Sequence, residues 1–292
     1  MKKLIVCLAV CLMTALIIKP VMAGESNVFR LNETALKKHI TSLYDHIDFS
    51  KTACLSFEVF DKAYRGYINL HNAGKLSNEK HIFSICDFTQ SSTNNRLWII
   101  DLDNKKVLLN TLVAHGQGSG DEFATQFSNK EASHQSSLGF FVTGETYNGE
   151  HGTSLYLHGM DEGYNDNAYD RSIVVHGADY VSGRFIEGNN RLGRSWGCPA
   201  VPSQLSCTII NMIKDGTCLF IYYPEEKYMA NAYWLNKKIE RLPDFNNPLI
   251  SGIDPKLLAS AHPQAVRDSF MTIKYYSATG TLDSVKKIKR VM

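Results

Sequence analysis

The chain has 292 residues, 31 Lys plus Arg against 29 Asp plus Glu for a formal net charge of +2, and seven cysteines. A balance this even excludes the strong positive field of a protein that holds nucleic acid by its phosphates, and no aromatic-plus-basic pattern of a nucleic-acid module is present. The length suffices for one large domain or a core domain with additions at both ends.

At the start, Met1-Lys2-Lys3, the apolar run Leu4–Ile18 and the small-residue site Val21-Met22-Ala23 read as a secretory signal. The run is shorter than a membrane span and Lys19-Pro20 end it, so the expectation is cleavage after Ala23 and a mature chain without an integral membrane span. Cys7 and Cys11 leave with the signal, and Cys54, Cys86, Cys198, Cys207 and Cys218 remain. An odd count in an oxidising compartment leaves at least one thiol free, with Cys198 the candidate. Cys54–Cys86 and Cys207–Cys218 are possible bridges.

Asn32 is placed to cap a helix whose Leu36, Ile40, Leu43 and Tyr44 share one face. A second helix starts near Ser56, repeats Phe57, Phe60, Tyr64 and Ile68 at helical spacing, and stops at Asn72-Ala73-Gly74. Residues 24–94 therefore read as a helical N-terminal region. After the polar stretch Ser91–Asn95, short β-branched and aromatic runs recur between glycine-bearing turns. Strands are expected at Leu97–Asp101, Val107–Val113, Leu138–Thr143, Ser154–His158, Ser172–His176 and Leu219–Tyr223. One helix interrupts them, with Ser203 as cap, Leu205, Ile209 and Ile213 on one face, and Gly216 past its end. The region 95–224 is thus a mainly β domain with a few helices. Residues 225–292, with Pro243, Pro248, Pro255 and Pro263, read as an extension of loops and short helices that ends in a basic tail at Lys286–Arg290.

The densest chemical signal is Arg194-Ser195-Trp196-Gly197-Cys198-Pro199, a cysteine in a glycine-bearing turn, downstream of Val175-His176-Gly177. A nearby imidazole can take the thiol proton and stabilise the thiolate, and Gly197 permits close backbone approach to a substrate carbonyl. Backbone N–H groups at Gly197 and Cys198 are candidates to stabilise an oxyanion. By itself, a cysteine in a Gly-Cys dipeptide is more often a structural or disulfide cysteine. His115, His158, His176 and Cys198 lack the short ligand spacing of a zinc site, so no metal is expected. Asp161-Glu162 and Asp101 with Asp103 invite a carboxylate-pair reading, but polar turn residues beside strands explain them without chemistry.

Val175-His176-Gly177 followed by Ser195-Trp196-Gly197-Cys198 resembles the signature of the YkuD-type L,D-transpeptidase catalytic domain. Val113-Ala114-His115-Gly116 with Ser137-Leu138-Gly139-Phe140 resembles that family's paired upstream segments. Arg96-Leu97-Trp98, Phe127-Ser128-Asn129, Gly163–Ala168 and Gly193–Ala200 are similar to its divergent branch of murein L,D-transpeptidase catalytic domain-like proteins. The resemblance implies a YkuD-like β-sandwich domain and a cofactor-free cysteine enzyme that acts on peptidoglycan stem peptides in the periplasm or cell-wall space. It further implies thioester chemistry, with Cys198 as nucleophile, His176 as base, a carbonyl near Gly177 orienting the imidazole, and acylation by carbapenem β-lactams.

Two departures limit the transfer. The family's commoner pattern has Arg two residues after the Cys, where this chain has Ala200; Arg194 is the substitute candidate for a stem carboxylate, or else a brace for the turn. The spacing from His176 to Cys198 is also longer, with Arg184, Glu187 and Arg191 in the intervening loop. Ser195 and Trp196 are further candidate substrate contacts. His158, in Leu157-His158-Gly159, reads as a neighbour of the site or as a structural histidine. His115 reads as groove-lining or as a turn residue. Three functions stay open: a transpeptidase, a carboxypeptidase or endopeptidase on the same stems, and a non-catalytic wall-binding module.

Overall fold

The structure, a computed structural model, describes residues 31–243. The signal segment, the basic tail and Pro248, Pro255 and Pro263 lie outside the described residues. The Asn32 side chain accepts from the Ala35 N–H at 2.8 Å, which satisfies one of the free donors at the start of helix α1 (Glu33–Asp45). Leu36, Ile40 and Leu43 form its buried stripe. Helix α2 (Phe57–Asn72) follows Ser56, and the Lys75 N–H closes it back onto the Leu70 carbonyl at 3.0 Å.

Among the described residues eight strands form one sheet: β1 (Ile82–Asp87), β2 (Leu97–Asp101), β3 (Lys106–Thr111), β4 (Gly139–Gly149), β5 (Gly152–Gly159), β6 (Val174–Ala178), β7 (Ala200–Pro202) and β8 (Cys218–Tyr222). Their order is β3-β2-β1-β8-β4-β5-β6-β7, with β1–β8 and β6–β7 parallel and the other neighbours antiparallel. Beyond β3, Ala114 bridges Ala200 of β7, so the two ends of the order meet and the sheet curls into a nearly closed barrel. Helix α4 (Ser203–Ile213) touches both β6 and β1. Those strands are far apart in the order, so the helix lies on the concave side and its Ile209, Ile210 and Ile213 fill the inside of the curl. Helix α2 packs on β1 and β8, and Gly66 gives way to the Phe140 ring: a Cβ there would lie 1.9 Å from the ring carbon Cζ. Phe140 stacks on Phe220 of β8 at 4.2 Å, and burying each such ring stabilises the fold by roughly 2–3 kcal/mol.

Several expectations shift. The segment 24–94 holds the two expected helices and also β1, which sits between β2 and β8 in the sheet. Five of its six residues are buried, so it lacks the alternation that marks a half-buried strand. Strand β7 is three residues long and is created by pairing with β6. Helix α3 (Gly183–Asn189) buries nothing and left no apolar stripe to read. Ser203 is the first residue of α4 rather than its side-chain cap, because its hydroxyl donates to Asp179 Oδ1 at 2.6 Å. All five described cysteines are unbonded. The two candidate bridges are corrected by burial: Cys86 and Cys218 are buried on strands, whereas Cys54 and Cys207 are exposed. The described start of the extension forms two short helices, α5 (Glu226–Asn231) and α6 (Tyr233–Asn236). Asn69 of α2 donates to the Trp234 and Lys237 carbonyls, both at 2.8 Å, and ties this part to the body. Among the described residues no helix is long and apolar enough to cross a membrane.

Candidate active site

Strands β6 and β7 run parallel with His176 opposite Ala200, so Cys198, two residues earlier, lies level with Val174. Its Sγ is 3.5 Å from the Val174 N–H and 3.6 Å from the Ser172 carbonyl, to which the thiol donates. Val174 and His176 are two residues apart on one strand, hence on one face, with a rise of about 6.6 Å between them. Cys198, in the turn that leads into β7, is therefore held beside β6 at Val174, two residues along the strand from His176. No hydrogen bond joins the Cys198 thiol to the His176 ring.

The partners of His176 assign its tautomer. Its Nδ1 faces the Gly177 carbonyl at 3.0 Å, and a carbonyl can only accept, so Nδ1 carries the proton. The lone pair is left on Nε2, where a base needs it. Burial lowers the pKa of this ring, the Gly177 carbonyl raises it less, and His151 lowers it further. The imidazole is thus neutral near neutral pH. Burial pushes the Cys198 thiol above its ordinary value, while the Val174 N–H, the Arg171 guanidinium and its own backbone N–H favour the thiolate. A thiol held protonated in this way needs a base to react.

The turn that carries the thiol is locked from both sides. Ser195 Oγ accepts from the Gly197 N–H at 3.1 Å and donates to the Cys198 carbonyl at 2.6 Å. Gly197 has φ +123°, and a Cβ there would meet the Gln135 carbonyl at 2.8 Å. The glycine is required by this packing and this backbone, and its N–H is engaged within the turn rather than turned toward a substrate oxygen. Ser136 Oγ donates to the Gly197 carbonyl at 3.2 Å. The segment 128–137 behind the turn is gathered by Arg171, which donates to the Ser128 and Gln135 carbonyls at 2.8 Å and to Ser137 Oγ at 2.6 Å. Arg171 stands in no sequence pattern, a lone Arg three residues before β6; only the fold brings it beside the thiol.

The remaining candidates separate. Trp196, two residues before Cys198, is 72% exposed, and its ring stacks on His134 at 5.0 Å. Gln117 Nε2 donates to His134 Nδ1 at 2.9 Å, which steadies this platform. Arg194 points to the 117–121 loop, donating to the Gly120 carbonyl at 2.9 Å and pairing with Asp121 at 2.8 Å, the bracing arrangement. His115 is fully buried and lines no groove: Arg96 Nη2 donates to its Nδ1 at 2.7 Å, and its Nε2–H donates to the Gly120 carbonyl at 3.3 Å. His158 is half-exposed and stacks on Tyr169 at 5.0 Å, within a row of rings that includes Tyr156 and Tyr147. Asp161, buried, accepts from the Phe140 N–H and the Tyr228 hydroxyl and serves the fold. Among the described residues no group of three or more His, Cys, Asp or Glu is arranged to hold a metal ion.

A thiol in the turn that leads into β7 and a neutral, backbone-oriented imidazole on the adjacent β6 define a cysteine–histidine site. Residues 51–222 match the family model described as the L,D-transpeptidase catalytic domain, and the chain belongs to that family. None of the curated proteins matches. Among solved structures, an L,D-transpeptidase from Mycobacterium smegmatis aligns at 10% identity with TM-score 0.31, covering 49% of this chain and 59% of that one. An L,D-transpeptidase in complex with imipenem aligns at 11% identity with TM-score 0.30, covering 49% and 59%. One from Stackebrandtia nassauensis aligns at 13% identity with TM-score 0.30, covering 66% and 93%. The chain thus spans about three-fifths of the length of the first of these.

Proposed function

We propose that this chain is an exported L,D-transpeptidase that acts on peptidoglycan stem peptides through a Cys198 thioester. The observation that carries the reading is the pairing of Cys198, held level with Val174, with His176, whose Nδ1 is committed to Gly177 and whose Nε2 is left as a base. In the first half-reaction Nε2 takes the thiol proton, and Sγ attacks the carbonyl carbon of the L-residue at the L,D-peptide bond. The C–N bond breaks, and the leaving D-residue amine takes the proton from the imidazolium. In the second, the amine of another stem attacks the thioester, gives its proton to His176, and the thiol is restored. Arg171 favours the thiolate electrostatically, and the Trp196 platform beside it offers a surface for the stem. Export rests on the Leu4–Ile18 run, and acylation of Cys198 by a carbapenem follows from the same chemistry.

The test is mass spectrometry of tetrapeptide-containing muropeptides incubated with residues 24–292 and with the Cys198→Ala variant. Cross-linked dimers that the variant does not make establish transfer to an amine. Loss of the terminal D-residue without dimers, again only with Cys198, means that water is the acceptor. Unchanged stems with folded protein refute the stem-peptide assignment and favour the wall-binding module.

A further inference from the structure

The β4–β5 hairpin is longer than its sequence suggests and turns at Glu150-His151, where residues 148–152 are all exposed. From that tip the His151 ring reaches back over His176, with centroids 4.5 Å apart and planes 22° from parallel. His176 is 4% exposed, so an exposed residue from another element covers a buried one. Two of the ways in which the His176 ring could move are then closed: Gly177 fixes the Nδ1 edge and His151 fixes a face.

We propose that His151 is a positioning residue for the base: stacked on His176, it holds that ring in the plane that Gly177 sets and leaves the Nε2 edge as its working side. The proposal rests on the reading of Cys198 and His176 as nucleophile and base. His151 takes no proton and forms no bond in either half-reaction. Nothing else at the hairpin tip demands an aromatic residue, because the tip is solvent-exposed and its neighbours Asn148, Gly149, Glu150 and Gly152 are polar or glycine.

The experiment compares the full mature chain with His151→Ala, His151→Phe, His176→Ala and the double variant His151→Ala/His176→Ala. Two quantities are read: the rate of Cys198 alkylation by iodoacetamide at pH 7, and kcat and KM on tetrapeptide muropeptides. His151→Ala is expected to slow alkylation and lower kcat by about tenfold with KM changed less than about twofold, the cost of a base held loosely. His151→Phe, which keeps the cover and loses the nitrogens, should recover both to within about threefold, and all variants should melt within about 2 °C of the parent. In the His176→Ala background the further change at His151 should have no effect, since the two act as one unit. Wild-type rates in His151→Ala, no recovery with Phe, or an additive effect in the double variant would each overturn the proposal. A His176→Ala variant that alkylates at the parent rate would instead overturn the reading on which it rests.

Discussion

Two of the chain's His-Gly dipeptides border the turn that carries Cys198, His115-Gly116 before it in sequence and His176-Gly177 on the strand beside it, and they look alike until their partners are compared. His115 faces a donor. The Arg96 guanidinium consumes the lone pair on Nδ1, and Nε2–H is spent on the Gly120 carbonyl, so no basic nitrogen is left over. Burial and then the Arg96 charge push its pKa down to about 3. His176 faces an acceptor instead, which puts the proton on Nδ1 and frees Nε2. What a histidine can do here is decided by whether its first partner gives or takes a hydrogen bond. The His115 segment still serves the site at one remove: its carbonyl accepts from the Ser195 N–H at 3.0 Å, and its ring is anchored to an arginine that is itself wholly buried.

The sharpest way to break this comparison is to remove each ring in turn. His176→Ala is expected to slow Cys198 alkylation and product formation by roughly 10²- to 10⁴-fold, the usual worth of a positioned base, with the melting temperature little changed. His115→Gln should leave alkylation within about threefold of the parent, and an equal loss in both variants would mean that the hydrogen-bond partners do not decide the role. Next in size is Arg96→Met, which leaves the Val113 and Gln90 carbonyls and His115 Nδ1 without their donors and removes the cation from the Phe88 face. The expected cost is about 3–5 kcal/mol in urea unfolding, and a value under about 1 kcal/mol would show that the His115 side of the comparison is not built on this arginine.

The smallest effect is in pH. The folded pKa of His115 is depressed from 6.5 to about 3, so its contribution to stability is complete above the unfolded value and is lost progressively as pH falls toward 3. The slope is at most about 1.4 kcal/mol per pH unit between those limits, where the unfolded chain binds a proton that the folded one refuses. Unfolding midpoints at pH 7.5 and 4.5 should therefore draw closer together in His115→Gln than in the parent. A gap as wide as the parent's would assign the acid sensitivity to other groups.

Much of the scaffold was legible because short-range rules decided it. Asn32 caps α1 as its hydroxyl-free but oxygen-bearing side chain and the Leu36, Ile40, Leu43 stripe dictate. Leu97–Asp101 came out as β2 with the same ends, since its β-branched and aromatic run lies between polar turns. Strand β1 escaped because burial on both faces erases the period of two, and β7 because three residues become a strand only when a neighbour pairs with them. At the site, Cys198, His176 and Gly177 could be named from their order in the chain. Arg171 and His151 could not, as neither stands in a pattern with the turn that it serves.

The amino-acid sequence alone therefore determined the chemistry on offer, a thiol in a glycine turn downstream of a His-Gly strand, and the helical and β character of the segments around it, because residue type and local periodicity suffice for both. Only the tertiary structure decided which histidine keeps a free lone pair, that Arg194 braces a loop, that the thiols stay unpaired and that a hairpin tip covers His176. Each of those depends on which atoms from distant segments are brought within hydrogen-bond or stacking distance, and that is a property of the closed sheet rather than of any stretch of chain.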